Sequence, residues 1–88
     1  MVYITHIRLS SGNTHEYITD VKWHDSATGN ANQMTRQQAV NWIDQGNRLY
    51  VTDGTHTVEV GVVKANPSYL RTYADGKWTD NLLALPRF

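Results

Sequence analysis

The stretch that decides the fold class is Arg48 to Lys64, RLYVTDGTHTVEVGVVK. Two runs rich in β-branched and aromatic residues flank Asp53-Gly54, a dipeptide favoured in type I′ turns because both central residues need positive φ. The pattern predicts a hairpin closed by a two-residue loop, with Val51 opposite His56 and Leu49 opposite Val58. Val60 and Val62 then continue the core face, and Arg48 stands opposite Glu59 outside. Downstream, Asn66-Pro67 breaks the chain, and a second Asp-Gly turn, Asp75-Gly76, joins Tyr69–Tyr73 to Lys77-Trp78-Thr79. The same arithmetic sets Tyr73 opposite Trp78 and Arg71 opposite Asp80. Leu82, Leu83 and Leu85 are expected to form an irregular or single-turn end before Pro86.

Upstream lies a near-repeat: Tyr3-Ile4-Thr5-His6-Ile7-Arg8-Leu9 returns as Tyr17-Ile18-Thr19-Asp20-Val21-Lys22-Trp23. Each copy reads as a strand, and strict alternation assigns Tyr3, Thr5, Ile7 and Leu9, with Tyr17, Thr19, Val21 and Trp23, to the core side. The polar link Ser10–Glu16 makes the pair an antiparallel hairpin, with Leu9 opposite Tyr17, His6 opposite Asp20 and Ile4 opposite Lys22. Asp25–Gln33, rich in Ser, Thr, Gly and Asn, reads as a loop leading into a helix. Thr35 and Gln38 have capping-box spacing, Met34 holds the staple position and Gly46 supplies the stop, so the helix spans about residues 36–45. Ala39, Val40 and Ile43 form its apolar stripe, flanked by Trp42.

These elements predict one α+β domain over residues 1–88, an antiparallel sheet of hairpins packed on one helix in the order β-β-α-β-β-β-β. Eight basic and eight acidic residues cancel, so no global field draws the chain to nucleic acid or anionic lipid. The lack of cysteine excludes disulfide frameworks and thiolate zinc sites. Val2–Leu9 carries His6 and Arg8 and lacks the apolar core of a signal peptide, and no run reaches membrane-span length, so a cytoplasmic location is the expectation.

Candidate chemistry is sparse. His6, His15, His24 and His56, even with Asp20 or Asp25, lack the spacing that aims two imidazoles at one ion, so no metal or other cofactor is expected. A His6–Asp20 pair across the first hairpin would suit a general base, but a structural cross-strand pair explains it with fewer assumptions. No nucleophile-elbow pattern surrounds the serines at 10, 11, 26 and 68. Asp75 and Asp80 beside Trp78 resemble the carboxylates of a glycosidase site, yet turn formation and pairing with Arg71 account for both.

The opening Tyr3-Ile4-Thr5-His6-Ile7-Arg8-Leu9-Ser10, the run Asp75-Gly76-x-Trp78-x-Asp80-Asn81-Leu82-Leu83 and the ending Ala84-Leu85-Pro86 resemble a small bacterial family known only as domain of unknown function 3892. The resemblance covers nearly the whole chain and implies a compact domain without an assigned activity.

By elimination the expected role is a non-catalytic binding or protein-interaction module with an unidentified partner. Arg71, Tyr73, Lys77 and Trp78 are its candidate surface. The alternative is a single-stranded nucleic-acid-binding module using a basic and aromatic sheet face.

Overall fold

The computed structural model describes residues 1–88 and contains seven strands and one α-helix: β1 (Val2–Leu9), β2 (Ile18–Asp25), β3 (Ala31–Thr35), α1 (Arg36–Asp44), β4 (Leu49–Thr52), β5 (Thr57–Val63), β6 (Tyr69–Ala74) and β7 (Lys77–Thr79). Single 3-10 turns lie at His15–Tyr17 and Asn81–Ala84. The strands form one sheet in the order β3-β2-β1-β4-β5-β6-β7, antiparallel throughout except where β1 meets β4 at Tyr3 and Tyr50. The α+β class holds, with one strand more than the sequence predicts. That strand is β3, in the segment expected to be loop up to Gln33. It pairs with β2 from Asp20–Thr35 to His24–Ala31 and buries almost nothing, so its sequence carries no apolar alternation to betray it.

The first hairpin departs from strict alternation. Ile4 pairs with Trp23 and His6 with Lys22, which leaves Thr5 as an extra residue; Arg8 pairs with Asp20 and Leu9 with Ile18, which leaves Thr19 extra. Each is a β-bulge, and each makes the buried positions run i, i+3: Ile4 and Ile7 on β1, Ile18 and Val21 on β2. Ile7 and Val21 are core residues as expected. Tyr3 and Thr5 are only half-buried and Tyr17 is exposed, because the bulges turn Ile4 and Ile18 inward in their place. The expected pairs Leu9–Tyr17, His6–Asp20 and Ile4–Lys22 do not form, because the loop closes with Ser10 N–H on Tyr17 O and starts the ladder at Leu9–Ile18, one residue out of the expected register, and the stretch between the bulges is shifted by one more.

Between β4 and β5 the loop has four residues, not two. Asp53 Oδ1 accepts the N–H groups of Thr55 at 2.8 Å and His56 at 2.6 Å, while Asp53 N–H donates to His56 O at 3.2 Å. These bonds, that to His56 foremost, hold the Asp53 carboxyl below the usual range. The register slips by two, placing Val51 opposite Val58 and Leu49 opposite Val60. An even slip leaves every side chain on its own face, so the predicted core survives the wrong pairing. At the β6–β7 turn the prediction holds: Asp75 and Gly76 have φ of 54° and 79°, and Tyr73 pairs with Trp78.

The core is one cluster built from Ile4, Ile7, Ile18, Val21, Ala39, Val40, Leu49, Val51, Val60, Leu70 and Leu82. Helix α1 begins at the predicted capping box, in which Thr35 Oγ1 accepts Gln38 N–H at 3.1 Å and Gln38 Oε1 accepts Thr35 N–H at 2.9 Å. Its chain stops at Gly46, whose φ of 97° only glycine adopts readily. The C-terminal segment returns to β1, with Ile7 N–H donating to Pro86 O at 3.0 Å and Phe88 N–H to Ile7 O at 3.2 Å.

Candidate interaction surface on the outer sheet face

Because successive strand residues face opposite sides, the inward Leu49, Val60, Leu70 and Thr72 fix what faces outward. Tyr50, Glu59, Gly61, Arg71, Tyr73 and Trp78 share that outer face. Tyr3 joins them across the parallel pair, its ring centroid 6.3 Å from that of Tyr50. Tyr73 and Trp78 meet edge to face, centroids 5.4 Å apart and planes inclined at 74°, yet each remains 43% exposed.

The Trp78 ring reaches across β6 onto Gly61: a Cβ at that position would lie 3.0 Å from Trp78 Cζ3 and 3.2 Å from Cη2. The missing side chain of Gly61 is the space the indole occupies. Arg71 is fixed beside it, Nη2 donating to Asp80 Oδ1 at 2.8 Å and Nε to Thr79 O at 3.2 Å. The cross-strand Arg71–Asp80 pair is therefore the one the sequence predicts. Arg48 and Glu59 are 3.4 Å apart, so the charges on this part of the face are paired and nearly balanced.

Of the four candidate residues, Arg71, Tyr73 and Trp78 come together. Lys77 does not, because it adjoins Trp78 on a three-residue strand and projects to the opposite side. Further along the outer face is a feature the sequence did not signal: the Phe88 ring lies between Arg8 Cζ, 4.4 Å from its centroid, and Lys22 Nζ, 4.9 Å away.

Other candidates are scattered. His6 Nδ1 lies 2.9 Å from Thr5 Oγ1, and its cross-strand neighbour is Lys22 instead of Asp20. His15 is buried, and desolvation together with the Arg71 cation lowers its pKa, against an opposing pull from Asp80 and Glu16. No three His, Asp or Glu side chains converge on a point that would hold a metal ion. Asp75 lies in its turn and Asp80 on Arg71, so both carboxylates have the structural duties the sequence assigns them. No helix is long and apolar enough to cross a membrane.

The profile of a family described as protein of unknown function, DUF3892, matches residues 3–86. The chain belongs to that family. No curated protein and no solved structure matches it significantly. The DUF3892 match takes in the helix, all seven strands except the first residue of β1, Val2, and the outer-face residues Tyr3, Tyr50, Arg71, Tyr73 and Trp78, and ends before Phe88.

Proposed function

We propose that this DUF3892 domain is a non-catalytic protein-interaction module that binds through the outer sheet face around Tyr73 and Trp78. The observation that carries the reading is an aromatic pair locked edge to face and still 43% exposed on each member, with Arg71 held alongside by Asp80. Tyr, Trp and Arg dominate the energetics of protein interfaces, and rings already fixed by their neighbours lose little conformational freedom on binding. Since Arg48–Glu59 and Arg71–Asp80 balance the local charge, the complementary partner surface is apolar and uncharged at its centre.

The same face supports a second reading, single-stranded nucleic acid stacked on its rings, because Arg8 and Lys22 flank Phe88 there. The pairing of Arg71 with Asp80 weighs against it, since a neutralised cation releases few counterions from phosphate. Affinity capture with wild-type protein and a Tyr73→Ser/Trp78→Ser variant separates the two. The interaction reading expects a protein retained by the wild type, lost with the variant and indifferent to nuclease. Identical capture by both would overturn it, and nuclease-sensitive, salt-sensitive capture would establish the second reading instead.

A further inference from the structure

A second site lies on the other side of the sheet, at the margin formed by β2, β3 and α1. It is a cleft of about 310 Å³ whose walls include Val2, Trp23, Asp25, Met34, Gln38 and Trp42. This is the lower end of the range for small-molecule pockets. Trp23 pairs across the ladder with the buried Ile4 and so faces the helix side of the sheet. Trp42 stands four residues beyond Gln38 on α1, which places both on one helix face. The capping box fixes that face, because Gln38 Oε1 is held by Thr35 N–H at 2.9 Å.

The charge in the cleft is one-sided. Asp25 is half-buried, and its Oδ1 accepts only Ala27 N–H, at 2.9 Å. It forms no ion pair with any Lys, Arg or His; the Met1 ammonium nearby bonds to Ser26 Oγ at 3.0 Å. No basic residue lines the cleft. Two indoles, a carboxylate without a cation and the apolar surfaces of Val2 and Met34 form a set with one chemical preference. Indole is the best side-chain π-partner for a cation, the carboxylate adds Coulomb attraction at a partly desolvated position, and the apolar groups suit methyl substituents. A bare metal cation gains little here, since it needs several oxygen ligands and Asp25 supplies one carboxylate.

We infer that this cleft binds a quaternary ammonium group. The site goes beyond the proposed interaction face and stands or falls independently of it, because Trp78 lies outside the cleft and serves as an internal control. The test is an NMR titration of the full chain, following the three indole N–H signals after assignment by Trp→Phe variants. Tetramethylammonium, compared with sodium at equal ionic strength, is expected to move the Trp23 and Trp42 signals saturably at millimolar concentration and leave Trp78 in place. Asp25→Asn should weaken binding about fivefold or more. Trp42→Ala should abolish it while the amide spectrum stays dispersed, since this side chain is 39% exposed. Choline and trimethyl-lysine then distinguish a free solute from a modified side chain as the source of the group. Absence of saturable shifts, equal shifts with the neutral isostere tert-butanol, or equal shifts with glucose would overturn the inference.

Discussion

Thr5 and Thr19, third residues of the two Tyr-Ile-Thr copies, are both bulge residues, and each directs its hydroxyl to a carbonyl across the ladder: Thr5 to Lys22 O and Thr19 to Arg8 O, both at 3.4 Å. The near-repeat is thus a repeat of local geometry. A bulge residue is surplus to the ladder, so deleting Thr5 leaves the pairs Ile4–Trp23 and His6–Lys22 available and both isoleucines inward. The deletion variant is expected to fold, with a lower urea midpoint and an unchanged slope. Deleting Ile4, by contrast, empties a core position, a loss on the order of 2–5 kcal/mol, and should leave no cooperative transition.

Stability should depend on pH through His15. Burial and Arg71 lower its pKa in the folded state, and its Nε2 has no hydrogen-bond partner, with Asp80 Oδ1 3.8 Å away. The unfolded chain, with a value near 6.5, then binds more protons than the folded one. Its contribution is fully present above 6.5 and is lost as pH falls from there through the folded value. Urea denaturation at a series of pH values should show stability declining on the acid side, and a His15→Asn variant should flatten that limb.

The segment from Tyr69 onward is expected to be indispensable. Leu70 and Leu82 are fully buried, and Thr72 Oγ1 accepts Asn81 N–H at 3.1 Å while lying 2.6 Å from Thr79 Oγ1. Truncation after Pro67 should give collapsed amide dispersion in an NMR spectrum. Leu82→Ala alone should cost about 2–5 kcal/mol by chemical denaturation.

Gly61→Val separates the outer surface from the fold. The new side chain takes the space under Trp78 and pushes the half-exposed indole out of its edge-to-face seat toward solvent, and a β-branched residue suits a strand. Stability should change by no more than about 1 kcal/mol, while the Trp78 indole signal moves. If the proposed interaction reading holds, partner capture falls with it.

Features that depend on adjacent residues were legible in the sequence: the Thr35–Gln38 capping box, the Asp75-Gly76 turn and the Tyr73–Trp78 and Arg71–Asp80 pairs it brings together. Features that depend on a distant partner were not. A bulge exists only as a mismatch between two strands, so nothing inside Tyr3–Leu9 shows that Thr5 is surplus. The slip at Asp53 depends on side-chain bonds that compete with the turn a bare Asp-Gly would make. Three of the four candidate surface residues, Arg71, Tyr73 and Trp78, share a face because their hairpin is local, whereas strand parity puts Lys77 on the other side. The tryptophan cleft was missed, although the Gln38 and Trp42 spacing was available as a signal for one of its walls.

The β3 margin carries a further consequence. The outward amides of alternate residues Gln33 and Thr35 are already taken, by Asn32 Oδ1 at 2.8 Å and Gln38 Oε1 at 2.9 Å. An incoming strand would find those two donors spent. That loss disfavours edge-to-edge pairing of a second molecule along β3, the contact from which lateral polymerisation into fibrils starts.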